Sequence, residues 1–224
     1  MDSIEITTVR TAAATCVAAR HLARPSSAVL TICGCGTQGR AQLRALAGVF
    51  PLRLAFVWDV EPKRARLMAD ELAPELGIEM SPAEDLPAAV LQSDVCVTCT
   101  PSRKAFLRRE WLRPGTFIAA VGADSPDKRE LEASILSSAK VVADVLDQCV
   151  EIGELHHAIA ARATTREQVY AELSEIAAGL KPGRTSEEEI TVFDSTGTAL
   201  QDVAAAAAVH EKAVRLGRGV RLEL

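Results

Sequence analysis

Three glycines and an aspartate carry the first chemical suggestion in this sequence. Gly34, Gly36 and Gly39 stand in the order G-x-G-x-x-G within "LTICGCGTQGRAQLRAL", where an apolar run gives way to helical periodicity. Asp59 lies 20 residues past the last glycine, at the end of the next apolar run. That spacing belongs to dinucleotide sites. Gly34 permits the tight turn, Gly36 lets the backbone approach a pyrophosphate, and Gly39 allows close helix–strand packing. Free N–H groups at the helix start attract the anion. An ordinary strand–turn–helix is the alternative, but the acid at the expected distance favours the dinucleotide. A carboxylate at 59 accepts hydrogen bonds from a ribose 2′-hydroxyl and repels a 2′-phosphate, so NAD is expected over NADP. Lys63 and Arg64 keep NADP open, although they read best as the solvated face of a helix.

Other reactive side chains give weaker signals. Cys96 and Cys99 form a CxxC, but "DVCVTCTPS" reads as a strand, where positions three apart face opposite sides. A shared metal or disulfide is therefore not expected. Cys16, Cys33, Cys35 and Cys149 also sit in apolar runs and read as buried free thiols. His156 and His157 read as structural or surface residues on a helix. Asp124 follows the apolar run "TFIAAVG", and ligands of open α/β sheets sit beyond the carboxyl ends of strands. The same residues admit a plainer reading, in which Asp124 or Ser125 caps a helix with Asp127 and Glu130 in its first turn. Arg10 stands at a helix start, where the dipole disfavours a cation.

Positioning these residues requires alternating strands and helices, and the pattern supplies them. Helices are expected over 10–24, 37–49, 62–76, 82–92, 127–139, 146–180 (with a turn near Thr164) and 198–217. Strands are expected over 27–33, 53–59, 94–100, 116–122, 140–144 and in "ITVFDSTG". Strands apolar throughout and alternating with helices imply an α/β fold, a doubly wound parallel sheet of Rossmann type covered on both faces. Residues 1–25 and 194–224 are expected to fold back together as an end piece, flanking a dinucleotide-binding domain over 26–193.

The 224 residues suffice for one sizeable domain, and 48% hydrophobic content argues against disorder. A net charge of -5 argues against a general nucleic-acid binder. No apolar run is long enough to cross a bilayer, and "MDSIEITTVR" lacks the basic-then-apolar pattern of a secretory signal. A cytoplasmic protein without a nucleic-acid or membrane partner is the expectation.

Taken together, "RTAAATCVAARHLAR", "GCGTQGRAQ", "VTCTPS", "AAVGADSPDKREL" and "FDSTGTALQDVAAAA" resemble the ornithine cyclodeaminase/μ-crystallin family, in order and spacing over nearly the whole chain. The family comprises NAD(P)-dependent enzymes of amino and imino acids, namely cyclodeaminases, alanine dehydrogenases and ketimine reductases, with lens or hormone-binding crystallins. The resemblance implies roles. Arg10 would bind the substrate carboxylate, for which a guanidinium fork is suited. Thr37 and Gln38 would lie against the pyrophosphate, and Asp59 would hold the adenosine ribose. Thr98 and the strand end Ile118, Ala119, Ala120 and Val121 would line the cofactor cleft. Asp124 would be the acid/base at the reacting amine, and Lys128 would contact the cofactor. Ser195 and Thr196 would approach the nicotinamide and the substrate. The family carries a glycine before the Lys128 position, where this chain has Asp127. A family section bearing a lysine, a further arginine and dimerisation strands precedes the stretch matching "MDSIEITTVRTAAA". Met1 is thus expected to be an internal methionine or the start of a shortened gene, and the substrate/dimerisation domain incomplete.

The resemblance implies chemistry of the ornithine cyclodeaminase type on a small amino acid. A hydride leaves Cα to NAD⁺, an amine displaces ammonia from the imine, and the hydride returns. Attack by water gives an alanine dehydrogenase instead, and the reverse direction an imino-acid or ketimine reductase. A truncated, crystallin-like dinucleotide binder without turnover is the competing class. A homodimer is implied for a full-length member of the family.

Overall fold

The computed structural model describes residues 3–220. The expectation attached to Met1 and the last four residues of the 194–224 end piece lie outside them.

Helix α1 (Ser3–Leu22) leads into strand β1 (Val29–Cys33), the glycine turn and α2 (Thr37–Ala47). Strand β2 (Leu54–Trp58) is followed by α3 (Pro62–Leu76) and a short β3 (Glu79–Pro82). Helix α3 follows its sequence: Pro62 opens it, and Ala65, Met68, Ala69 and Leu72 form one buried stripe. Gly77 then ends it in the left-handed conformation at φ +65°. Next come α4 (Leu86–Gln92), β4 (Val95–Thr98), β5 (Phe117–Ala120), α5 (Ala133–Ser138) and β6 (Lys140–Ala143). Helices α6 (Leu146–Ile152) and α7 (Glu154–Ala160) precede β7 (Ala171–Glu172), α8 (Leu173–Ala177), β8 (Thr191–Asp194) and α9 (Ala199–Arg215).

Among the described residues, eight strands form one sheet in the order β3-β2-β1-β4-β5-β8-β6-β7, every pairing parallel. Successive residues of each strand point to opposite faces, and the core divides accordingly. Leu30, Ile32, Phe117, Ala119 and Phe193 pack on the α1 and α2 side. Cys33, Ile118, Ala120 and Val192 pack on the α4, α5 and α7 side. The order reverses between β1 and β4, which opens a crevice beyond their carboxyl ends. Strand β8, last along the chain, enters between β5 and β6 and carries the 194–197 segment to the same end of the sheet.

Five expectations change. The helix expected over 10–24 begins at Ser3, so Arg10 lies within α1 and not at its start. The helix expected over 82–92 begins at Leu86, where the Asp85 side chain caps it by accepting from the Ala88 N–H. Strand β3 was not expected from its sequence, because "EMSP" is a short, partly polar edge segment ending in proline. The helix expected over 127–139 contracts to Ala133–Ser138. Upstream, backbone N–H groups bond elsewhere: Arg129 to the Ser102 carbonyl, Glu130 and Leu131 to the Glu154 carboxylate, and Glu132 to the Leu107 carbonyl. Tertiary bonds have replaced the helix. The 146–180 region breaks into α6, α7, β7 and α8, the first break falling at Gly153.

Candidate functional site

The glycine turn shows three distinct geometries. Gly34 adopts φ +106°, which a side chain rarely tolerates, and a Cβ there would lie 2.9 Å from the Cys99 carbonyl oxygen. At Gly39 a Cβ would fall 1.9 Å from the Gly34 carbonyl oxygen, so α2 packs directly on the turn. At Gly36 a Cβ would meet nothing within 4 Å, leaving the backbone open to a ligand. Gly36 is also the N-cap of α2, and no side chain caps it. The first N–H groups of α2 therefore face outward with the positive end of the dipole. The arrangement fits a diphosphate.

Asp59 flanks this turn. Its Oδ2 accepts from the Cys35 N–H at 2.9 Å and its Oδ1 from the Glu61 N–H at 2.9 Å, fixing the carboxylate beside the glycines. A cavity of about 520 Å³ opens there, lined by Gly34, Gly36, Asp59, Arg64, Lys104 and Phe106 among others. Trp58 and Phe106, with ring centroids 5.2 Å apart, form an apolar part of its lining. Arg64 pairs with Glu61 at 2.9 Å on the exposed surface, and Lys63 is exposed.

A second cavity, of about 290 Å³, shares Cys99, Thr100 and Pro101 with the first. It brings together residues far apart in sequence: Arg10, Gln38, Val121, Asp124, Lys128, Ser195 and Thr196. Asp124 is half-exposed and pairs with Lys128 Nζ at 2.6 Å. The segment around it is irregular, so Asp124 caps no helix. Asp127 is exposed in the adjoining turn, and Lys128 pairs with Asp124 instead. His157 Nε2–H donates to the Lys128 carbonyl at 2.8 Å, and burial lowers the pKa of its ring. His156 bonds the Val150 carbonyl through Nδ1.

Arg10 reaches across from α1 to α9. Its Nε donates to Asp202 at 3.1 Å and its Nη1 to Gln201 at 3.2 Å. A Cβ on Gly197 would lie 2.2 Å from Nη1, so the guanidinium rests against a bare backbone at φ +79°. The 195–197 segment is held by Asp144 at the end of β6. That carboxylate accepts from Ser195 Oγ at 2.9 Å, Thr196 Oγ1 at 3.3 Å and Gly197 N at 2.7 Å. Gln148 Nε2 donates to the Gly197 carbonyl at 2.7 Å.

Several expected lining residues lie elsewhere. Thr98, Ile118, Ala119 and Ala120 are fully buried inside β4 and β5 and line neither cavity; Val121, just past the strand, does. Parallel pairing on both sides covers the strand interiors, so only residues beyond the strand ends reach the crevice. Thr37 is exposed at the first turn of α2, and Gly39 is buried beneath the turn. Burial disfavours the thiolate form beside the cleft: it pushes Cys35 up to about 12, with the Asp59 carboxylate adding to it, and raises Cys99. Cys96 lies within β4 and Cys99 beyond it, both free.

Three further carboxylates do not read as part of the site from sequence, which places Glu130 in the first turn of a helix. Glu130, Glu154 and Asp194 are essentially inaccessible. Glu130 Oε1 accepts from the Thr100 N–H at 2.6 Å and hydroxyl at 2.7 Å, and Oε2 from the Gly122 N–H at 3.1 Å. Glu154 accepts from the N–H groups of Glu130 at 2.7 Å and Leu131 at 3.1 Å. Asp194 accepts from those of Glu154 at 3.1 Å and Leu155 at 2.9 Å. Burial raises all three, Glu154 with the help of Glu130 and Asp194, and Asp194 to about 7. A signal for two of them exists only in hindsight. Gly122 and Gly153 are where a Cβ would lie 2.5 Å from the Glu130 carboxylate and 2.8 Å from the Asp194 carboxylate.

Comparison with known proteins matches residues 1–216 to the model of the ornithine cyclodeaminase/mu-crystallin family. The alanine dehydrogenase of Archaeoglobus fulgidus is 44% identical over 225 residues, covering 100% of this chain and 68% of that protein. The Thermococcus litoralis Delta(1)-pyrroline-2-carboxylate reductase, solved with NADH and L-proline, superposes with a TM-score of 0.94 at 35% identity, over 97% of this chain and 68% of its own. The iminosuccinate reductase of Paracoccus denitrificans, solved with NAD⁺, gives 0.92 at 38% identity, over 98% and 67%.

Proposed function

Because the chain belongs to the ornithine cyclodeaminase/mu-crystallin family, we propose that it is an NAD-dependent enzyme exchanging a hydride with Cα of a small 2-amino or 2-imino acid. One observation carries the reading. The open glycine turn with Asp59, and the Asp124–Lys128–Arg10 cluster, occupy two cavities that share residues 99–101 at the switch point of the sheet. One bound molecule spanning both would present its reactive end to the charged cluster.

In this reading the α2 N–H groups around Gly36, Thr37 and Gln38 hold the diphosphate, and Asp59 accepts from the adenosine ribose. The nicotinamide, when bound, supplies hydride transfer at Cα. Arg10 holds the substrate carboxylate; its Nη2 has no hydrogen bond to the protein among the described residues. Asp124 moves the proton at the substrate nitrogen, and Lys128 holds that carboxylate in place and faces the cofactor. Ser195 and Thr196, fixed by Asp144, close the nicotinamide and substrate side. The division into 1–25, 26–193 and 194–224 belongs to the same proposal. It is supported by the Arg10–Asp202 tie, by packing of α1 on α9 and by exposed Leu200, Val203 and Val214 on α9. A homodimer with this surface covered is part of it. No helix among the described residues is long and apolar enough to cross a membrane.

Reduction of an imino acid and ornithine-type cyclodeamination share the hydride step and differ in its balance. A reductase or dehydrogenase changes absorbance at the NADH band. A cyclodeaminase releases ammonia from a diamino acid with no net change there. The test combines both readouts over a panel of amino acids and of 2-oxo acids with ammonia. Asp124→Asn is expected to lower kcat by about 10²–10⁴-fold while NADH binding persists. Turnover undiminished in that variant removes Asp124 from the reaction, and nucleotide binding without any turnover supports a non-catalytic binder.

A further inference from the structure

Behind the wall of the substrate cavity, Asp194, Glu154 and Glu130 form a ladder. Each carboxylate accepts two backbone N–H groups, and in two rungs one of these belongs to the next acid. The last rung, Glu130, ends on the N–H groups of Thr100 and Gly122, both of which line the cavity. No lysine, arginine or histidine among the described residues forms an ion pair with any rung. The N–H groups on both oxygens of every rung favour the charged form, while burial opposes it and raises all three acids. The glycines at 122 and 153 leave no Cβ to push the carboxylates from the backbone. At the cavity end Glu130 has three donors and no ion-pair partner among the described residues, and its carboxylate bonds directly to two residues of the cavity wall.

We propose that Glu130 sets the preference of this cavity between the oxidised and reduced dinucleotide. Its carboxylate loads the wall at Thr100 and Gly122 with negative charge and favours the cationic nicotinamide of NAD⁺ over the neutral ring of NADH. Glu130 acts through the wall, as a positioning and electrostatic residue. The inference rests on the dinucleotide reading above. The other charged groups around the wall are already paired or bonded: Asp124 with Lys128, Arg10 with Asp202, and Asp144 with the 195–197 segment. Arg129 donates to the Leu131 carbonyl and His157 to that of Lys128.

The experiment is titration of wild-type protein, Glu130→Gln and Glu154→Gln with NAD⁺ and NADH separately, by calorimetry. In Glu130→Gln, affinity for NAD⁺ is expected to fall about tenfold more than affinity for NADH, a difference of about 1.4 kcal/mol. Glu154→Gln is expected to move the ratio the same way by less. A folded Glu130→Gln protein in which both affinities fall by the same factor overturns the proposal. Should neither variant fold, the wild-type protein decides. A cation beside the buried Glu130 carboxyl draws off its proton, so NAD⁺ is expected to release more protons on binding than NADH, measured from about pH 5 to 8 in buffers of different ionisation enthalpy. Equal release overturns the proposal. Wild-type protein that binds neither nucleotide overturns the dinucleotide reading and this inference with it; binding with an unmoved ratio overturns this inference alone.

Discussion

The two ends of the sheet treat buried acids in opposite ways. At the amino-terminal end, Asp94 accepts the N–H groups of Ala28 and Val29 at 2.8 and 3.0 Å, pairs with Arg24 at 2.6 Å and also pairs with Arg113. Nearby, Lys140 pairs with Glu189 at 2.8 Å, and Arg184 donates to the carbonyls of Leu22, Gly115 and Glu189. At the carboxyl-terminal end, Glu130, Glu154 and Asp194 are bonded to backbone donors and, among the described residues, paired with no cation. Charge neutralised in place ties strands together, which is all the first end does. Charge left without a counter-ion raises the energy of the folded state and persists where the end of the sheet must meet a ligand.

Removing an acid from the neutralised end should have the largest effect on stability. Asp94→Ala leaves two guanidinium groups and two backbone donors without their acceptor, and a loss of about 3–5 kcal/mol is expected. Urea unfolding measures it. An effect below about 1 kcal/mol would erase the contrast between the ends. Second in size is Gly39→Ala, whose Cβ has no room above the Gly34 carbonyl. A loss of about 2–4 kcal/mol is expected, together with NADH binding. Gly36→Ala, with nothing within 4 Å of the new Cβ, should keep the stability and lose affinity only. Equal behaviour of the two variants would contradict their assigned geometries.

The two ends also predict opposite pH dependence. Burial pushes Asp194 up to about 7 from 3.8, so the folded state holds a proton that the unfolded chain has lost. Its contribution therefore makes stability fall as pH rises from about 4 to about 7, and Asp194→Asn should flatten that fall. Asp94 has the reverse sign. Against the effect of burial, the Ala28 and Val29 N–H groups, then Arg113 and Arg24, hold its pKa below 3.8. Its stabilisation is present above that range and is lost as pH falls through the folded value. Unfolding midpoints from pH 3 to 8 read both. Smaller again is Asp59→Asn, expected to weaken NADH about tenfold while narrowing the gap to NADPH in a fluorescence titration. Smallest is Arg64→Ala. Its pair with Glu61 is exposed, and a stability change within about 0.5 kcal/mol is expected.

How far the sequence could be read follows the same division. The glycine turn, Asp59 and helix α3 over Pro62–Leu76 follow from local rules, and the structure places them as read. Local rules fail where long-range bonds decide. The segment 124–132 has helical composition but gives its N–H groups to Glu154 and to the carbonyls of Ser102 and Leu107. Glu130 read as an acid in a helix's first turn, because no local pattern marks a residue whose partners lie 30 and 8 positions away. Arg10 and Asp124 were singled out by family resemblance and a strand end; the cavity they share is completed by the segment between β8 and α9, about 70 residues beyond Asp124.

The entry of β8 between β5 and β6 also fixes an order of assembly on the ribosome. Residues up to about 120 contain the strands that carry the glycine turn and Asp59, and they leave the ribosome first. Until Thr191–Asp194 emerges, β5 and β6 each expose an unpaired edge, and Asp144 has no 195–197 segment to grip. At about 5–20 residues per second, the 70 or so residues between β5 and β8 leave those edges open for several seconds. The segment that closes the substrate side is thus the last part of the crevice to be made.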